Sequence, residues 1–327
     1  MRSTHKLGRA LAVVGIAAAL AITTACSSKG GARNEGGGAA TGERFTIAMI
    51  THEKLGDTFW DKIRSGAEAA AKQLNVDLKY SSDPEAGKQA TLVQNAIDSK
   101  VNGIAVTLAK PDAVGPVAQA ARKAGIPVVA FNSGYQDWQK YDAQMYFGSD
   151  EDVAGQAVGS RIASGGGGKA VCVIQEQGHV ALEARCAGVK KTFPNTEILY
   201  VDSENMPAVQ STIVAKLQQD PSITWVVTLG APIALAAQGA KQGAGSSAKI
   251  ATFDLNTDVA KQIESGAIEF SVDQQPYVQG YMAVTSLWLN LTNGNDIGGG
   301  RSVLTGPSYV DKTNITKIAQ YAARNTR

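Results

Sequence analysis

Six short apolar runs in this 327-residue chain end in residues that can hold a small polar molecule. F-T-I-A-M-I-T at 45–51 leads into Thr51, His52 and Asp57, with Phe59 and Trp60 just beyond. The run 127–131 leads into Asn132 and Ser133, and 170–174 leads into Glu176, His179 and Arg185. The run 224–228 is followed by Gly230 and Ala231, 249–253 by Asp254, and 269–272 by Asp273, Gln274, Gln275 and Tyr277. Planar amides, carboxylates, imidazoles and a guanidinium offer paired donors and acceptors to neighbouring hydroxyls, while aromatic faces cover C–H surface. Hydrogen bonds to charged groups contribute about 1.5–3 kcal/mol each. A handful of them, less desolvation and closure, reaches micromolar affinity, about −8 kcal/mol.

A chemical step is less well served. Asp254 with Asp57 or Glu176 can be drawn as the acid pair of a glycosidase, but nothing fixes their separation, and neither a Ser/His/Asp set nor a metal cluster stands out. The chain has three histidines, none at ligand spacing from a cysteine, so no zinc site is expected. Gly165–Gly168 lacks the Lys-Ser/Thr ending of a phosphate loop. No catalytic residue, metal or cofactor is expected. The binding assignments have structural alternatives. Trp60 lies on the apolar stripe of its helix and is core or cleft wall, whereas Phe59 lies off the stripe and faces a cleft. Arg185 can pair with a helix acid, and Asp254 can cap a helix beginning near Thr257. His179 can be a helix-start residue in solvent, and Gln275 points away from Gln274 if the segment is extended.

These residues are placed by an alternation of strand and helix. Strands are expected at 45–51, 76–80, 103–108, 127–131, near 144–147, and at 170–174, 198–202, 224–228, 249–253 and 269–272. Helices are expected at 59–74, 87–99, 112–123, 151–163, 180–192, 207–218, 231–241, 257–265 and 276–292. Such alternation implies parallel sheets covered on both faces. Ten strands in this length divide more readily than they form one sheet, so two α/β lobes are expected, with a break near Phe147–Gly148. Ligands of such sheets bind beyond the carboxyl ends of the strands, where the polar residues above fall.

The amino-terminal segment speaks to location. Arg2, Lys6 and Arg9 precede an unbroken apolar run from Leu11 to Ile22, then T-T-A-C. The run is too short for a stable membrane anchor and reads as a signal peptide, residues 1–25. Cys26, directly after Ala25, is expected to be lipidated; the segment resembles a bacterial lipobox but departs from it at Thr23. Residues 26–43 are rich in Gly, Ala and Ser and read as a flexible tether. Removing 1–25 takes three basic residues and no acid from totals of 31 and 29, leaving a net charge of −1. That balance gives no support for a nucleic-acid or acidic-membrane partner, and membrane attachment is expected through the lipid anchor alone. With Cys26 assigned, Cys172 and Cys186 remain as a pair in an oxidising compartment. A disulfide between them is expected, with two buried free thiols as the alternative.

From about residue 45 to 327 the chain resembles the bacterial substrate-binding proteins of sugar ABC transporters, of the periplasmic-binding-protein type I fold related to ribose-binding protein. The carriers are I-A-M-I-T-H at 47–52, G-D-T-F-W at 56–60, V-V-A-F-N-S-G at 128–134, A-L-E-A-R-C-A-G at 181–188, V-T-L-G-A at 227–231, I-A-T-F-D-L at 250–255 and D-Q-Q-P-Y-V-Q-G-Y at 273–281. The resemblance implies two lobes joined by three crossovers, 44–147 with 276–303 and 148–275 with 304–327, closing on one sugar-like ligand. It implies ABC permease subunits as partners and a monomer. It makes Phe59 a stacking aromatic with Trp60 beside it, and Arg185, Asp254 and the hinge residue Gln274 ligand-binding. Asn132 and Ser133 stand where ribose-type members carry an acid and an arginine. Gly230-Ala231 replaces Asn-Asp, which points to a different sugar, a polyol or another small polar molecule, with His52 and His179 as replacement contacts. A sensor that hands its bound form to a chemoreceptor or kinase keeps the same fold. A repressor of the same lobe type lacks its amino-terminal helix-turn-helix here.

Overall fold

The computed structural model describes residues 43–54 and 56–327. The expected signal peptide, Cys26 and nearly all of the tether therefore lie outside the described residues. The first sheet contains β1 (Thr46–Thr51), β2 (Asp77–Ser82), β3 (Gly103–Val106), β4 (Val128–Asn132) and β5 (Met145–Gly148). The second contains β6 (Lys169–Ile174), β7 (Thr196–Tyr200), β8 (Ile223–Thr228), β9 (Lys249–Phe253) and β10 (Phe270–Asp273). Two late strands complete them, β11 (Val303–Leu304) on the first and β12 (Ser308–Asp311) on the second. The strand orders are β11-β5-β4-β3-β1-β2 and β12-β10-β9-β8-β6-β7. All pairs are parallel except β10 with β12, which is antiparallel.

Alternate strand residues enter opposite hydrophobic layers, as the pleat requires. Ile47 and Met49 of β1 pack with Trp60 and Ile63 of helix α1 (Phe59–Leu74) and with Val284 and Leu287 of a long helix at 276–293. Ala48 and Ile50 pack on the other face with Val93 of α2 (Ala86–Asp98) and Val114 and Ala118 of α3 (Pro111–Lys123). In the second sheet Cys172 and Ile174 face α4 (Glu151–Ser164) and α5 (Val180–Thr192). Val171 and Val173 face α6 (Met206–Gln219), α7 (Ala231–Ala244) and α8 (Thr257–Ser265). The long helix is α9 (Pro276–Asn293), and α10 (Ile315–Ala322) ends the chain's regular structure. Burial on both faces is why the central strands read as unbroken apolar runs.

Glycines set how close the helices come. A Cβ on Gly66 of α1 would lie 2.0 Å from the Tyr277 carbonyl oxygen of α9, and one on Gly280 would lie 2.1 Å from that of Ile63. The same device joins α4 to α5, where a Cβ on Gly155 would lie 2.1 Å from the Arg185 carbonyl oxygen and one on Gly188 2.3 Å from that of Asp152. The α4–α5 contact places the first turn of α4 beside Arg185.

The structure departs from the sequence reading at the sheet edges. β7 begins at Thr196 rather than 198, and β2 runs on to Ser82. Edge strands are half exposed and carry no continuous apolar run. β11, β12 and α10 were not expected from the pattern. β11 has two residues, and of the four in β12 only Val310 is buried. The antiparallel β12 also departs from the expectation of wholly parallel sheets.

Cys172 of β6 and Cys186 of α5 form a disulfide with Cα atoms 5.8 Å apart. Both are fully buried. A loop of this size contributes roughly 3 kcal/mol in the chain-entropy model. Replacing both cysteines with alanine should lower unfolding free energy in urea by at least about that amount. Peptide mapping of unreduced protein that recovers both as free thiols would remove the basis of this expectation.

Candidate functional site

The carboxyl ends of both sheets face a cavity of ≈ 210 Å³, far above the roughly 10–15 Å³ that one water requires. Its first wall comes from the loop after β1, the start of α1 and the end of β4. His52, Asp57, Phe59, Trp60, Asn132 and Ser133 all line it. The Asp57 carboxylate accepts the Phe59 N–H at 3.0 Å, and burial raises its pKa. Trp60 is both core and wall. It packs with Ile63 on the sheet and meets the His52 ring edge-on at 4.7 Å.

The second wall comes from α5 and the ends of β6, β8, β9 and β10. His179, Arg185, Gly230, Asp254 and Gln274 line the cavity there. Thus all eleven residues singled out as ligand contacts surround one cavity. Gly230 and Ala231, where the resemblance to ribose-type proteins implied Asn-Asp, form part of an apolar wall with Leu229, Pro232 and Ile233. Asn132 and Asp254 both have φ of +64°, a left-handed conformation that Asn and Asp tolerate better than other non-glycine residues. This turn at the strand end brings each side chain to the cavity.

Arg185 pairs with a helix acid and also lines the cavity. Its Nε and Nη2 donate to Glu151 at 2.6 and 3.0 Å, and Nη1 donates to the Leu229 carbonyl oxygen at 3.1 Å. Asp254 Oδ2 lies 3.9 Å from Nη1. Asp254 is not a helix cap, as one reading of the sequence held; Asn256 caps α8. Asp254 Oδ1 instead accepts from Gln274 Nε2 at 2.8 Å. Burial pushes its pKa up to about 7, against the pull of Arg185. Gln274 in turn accepts from Asn132 of the first wall at 3.3 Å and from Gln279 of α9 at 3.0 Å. Gln275 faces away, but not because the segment is extended. Its φ is +56°, and its side chain donates to the Thr305 carbonyl oxygen.

His179 is not a solvent residue. It is 6% exposed and caps α5, its Nδ1 accepting the Ala181 N–H at 3.2 Å. Its Nε2 lies 2.9 Å from His52 Nε2 across the cleft. Because Nδ1 accepts, the neutral ring carries its hydrogen on Nε2 and donates to His52. His52 then carries its hydrogen on Nδ1, 2.7 Å from Thr107 Oγ1. Further contacts bridge the cleft mouth: Lys54 to Ser203 at 3.1 Å, Lys110 to Glu176 at 3.1 Å, and the Val180 N–H to the Ala109 carbonyl oxygen at 3.1 Å. The two lobes are therefore in contact on both sides of the cavity.

Glu151, Gln279, Thr107 and the bridging Lys54 were missed by the sequence reading. Glu151 begins a helix and looks like an ordinary acidic first-turn residue. Gln279 lies within the D-Q-Q-P-Y-V-Q-G-Y segment, the one signal that could have found it. Among the described residues no group of three or more His, Cys, Asp or Glu side chains is placed to hold a metal ion, and no helix there is long and apolar enough to cross a membrane.

Residues 47–296 match the model of the periplasmic binding protein domain. The chain belongs to the periplasmic binding protein family. It is 56% identical to a carbohydrate transporter from Acidothermus cellulolyticus solved in complex with myo-inositol, covering 87% of this chain and all of that one, with a TM-score of 0.86. An ABC transporter solute-binding protein from Agrobacterium vitis with bound D-fucose is 25% identical, covering 86% and 99% of the two chains, with a TM-score of 0.76. The xylose/arabinose-binding protein of Sulfolobus acidocaldarius is 24% identical over 292 residues, 83% of this chain and 72% of that protein. These relatives are solute-binding proteins of an extracytoplasmic family, and this chain is a binding protein rather than an enzyme. The type I fold inferred from sequence motifs is established by the same matches.

The histidine pair makes cleft contact pH-dependent. Burial, then the His179 charge, lowers the His52 pKa well below 6.5; burial, then Arg185, lowers that of His179 to about 3. Lys54 and Lys110 act in the same direction on both, and Glu176 opposes them at His52. Parting the lobes would remove burial, the largest cause of the His179 shift, and leave Arg185 on the same helix, so the parted form binds more protons at low pH. The histidine contribution to contact is fully present above about pH 6.5 and is lost as pH falls toward 3, while Asp254, raised to about 7 by burial, acts with the opposite sign. Small-angle scattering should show a radius of gyration that grows more from pH 7.5 to pH 5 in the wild-type protein than in His179→Asn, which keeps a capping side chain; equal changes in the two proteins would refute the assignment.

Proposed function

We propose that this protein is the solute-binding component of an ABC importer and that it takes a neutral, hydroxyl-rich ring, a cyclitol of the myo-inositol type, into the cleft between its lobes. The observation that carries the reading is the 56% identity to a protein solved with myo-inositol, in a chain whose own cavity is lined by Phe59, Trp60, Asn132, Arg185, Asp254 and Gln274. Asp254 accepts from ring hydroxyls, while Arg185 and the amides of Asn132 and Gln274 donate to them or accept from them. The aromatic rings and the apolar wall at Leu229–Ile233 cover the two C–H faces. Removing the polar pair of ribose-type relatives at Gly230-Ala231 reshapes the contacts on that side.

The lobes, residues 44–147 with 276–303 and 148–275 with 304–327, part and close about the segments near Gln274 and Thr305. Lipid on Cys26 and the tether 26–43 keep the monomeric receptor at the membrane, within reach of its permease. Calorimetry against a panel of cyclitols, pentoses and hexoses should give saturable, micromolar binding of a cyclitol with no turnover. Asp254→Ala should weaken that binding roughly 10- to 150-fold, the equivalent of one or two charged hydrogen bonds. A panel without a binder would sink the reading.

A further inference from the structure

The Arg185–Glu151 pair is more than structure requires. Both side chains are 4% exposed, and the guanidinium is held in two-point contact by Glu151. Burying an ion pair is a poor route to stability, because desolvation offsets most of the attraction. The pair nevertheless has a dedicated support. The glycine contact between α4 and α5 seats Glu151 beside Arg185, and the guanidinium lies 4.5 Å over the Phe253 ring. Glu151 itself does not line the cavity, whereas Arg185 does.

Three of the five guanidinium N–H groups are taken, two by Glu151 and one by the Leu229 carbonyl oxygen. The remaining two can donate to a ligand, but the positive charge is already matched. The cations at the cleft mouth are likewise committed, Lys110 to Glu176 and Lys54 to Ser203 and Glu204. The carboxylates of Asp57 and Asp254 line the same cavity. An incoming carboxylate or phosphate would lose its water and find no unpaired cation among the cavity-lining residues, while facing two acids; the buried Lys62, which donates to the Thr58 carbonyl oxygen, does not line the cavity. Selectivity built this way rejects the wrong ligand instead of holding the right one more tightly.

We infer that Glu151 is a specificity-determining residue: by neutralising Arg185 from behind, it makes the cavity accept uncharged polyols and refuse their acidic counterparts. It acts through Arg185 and touches no ligand. The inference rests on the polyol-binding reading above and adds a charge rule to it.

The experiment is calorimetry on wild-type protein and on Glu151→Gln with three probes: myo-inositol, myo-inositol 1-phosphate and D-glucuronate. The two anions differ in shape, so size alone does not set the result. Wild-type protein should bind myo-inositol at least 100-fold more tightly than either anion. In Glu151→Gln the gap should close at least tenfold for one anion or both, whatever the change in myo-inositol affinity itself. Glu151→Asp should restore the gap. A merely structural Glu151 would weaken all three probes together and leave the ratios unmoved, which overturns the inference. If Glu151→Gln does not fold, the wild-type ratio decides: an anion bound within tenfold of myo-inositol overturns it, and a 100-fold gap supports it. Failure of myo-inositol to bind the wild-type protein would instead refute the functional reading.

Discussion

A guanidinium taken out of water must be met by negative charge and by hydrogen-bond acceptors, and the second wall of the cleft is arranged around that requirement. Arg185 is held by Glu151 on one side and by the Leu229 carbonyl oxygen on another, with Asp254 next in range. Because Arg185 is fixed, the rest can be fixed in turn. Gln274 bridges from Asp254 to Asn132 in the first wall, and Gln279 of α9 joins the same amide. One network of polar side chains thus runs from α4 through the cleft to the first sheet. A partly satisfied network in so dry a place would be costly, which is why its members include residues, such as Glu151 and Gln279, that do not line the cavity.

The fold supplies this network with a place. Strands covered on both faces leave little room for charged side chains along their length, so chemistry collects at their carboxyl ends. At two of those ends, Asn132 and Asp254, the chain turns through a left-handed conformation as it leaves the sheet. The close helix crossings at Gly66 with Gly280 and at Gly155 with Gly188 then fix the helices that carry Phe59, Trp60, Glu151 and Arg185. The Cys172–Cys186 bridge ties α5 to β6 immediately beside Arg185. Both walls are therefore rigid where they meet the cavity, which leaves the connecting segments to accommodate any relative motion.

Closing such a cleft also has a protonation balance. Burial holds the His52 and His179 rings neutral, helped by the His179 charge at His52 and by Arg185 at His179, and burial also raises the Asp254 carboxyl to about 7. The two effects have opposite signs below pH 6.5: the histidines favour parted lobes and the carboxyl favours the buried, protonated form. Hydroxyl donors on a ligand would hold Asp254 ionised and shift that balance toward proton release on binding. The cleft is thus a coupled set of groups whose titration is set by burial between its two walls.

The α/β alternation was legible in the sequence because burial on both faces leaves an unmistakable apolar run at every central strand; 59–74, 180–192, 249–253 and 257–265 emerged with the observed boundaries. The eleven cleft residues were legible for a related reason, since a residue just past such a run has to lie at a strand end. Partial burial blurs the edge strands, so that β2 and β7 were expected with shifted bounds and β11 and β12 were not expected at all. What no linear pattern contains is pairing over distance. Arg185 and Glu151 are 34 residues apart, and His52 and His179 are 127 apart. Residue types alone left Arg185 either a ligand contact or a structural ion pair, and left His179 either a solvent residue or a contact. Only the tertiary structure decided that Arg185 lines the cavity with its charge already matched and that His179 is buried against a second imidazole, because charge balance and tautomer depend on which groups meet in space.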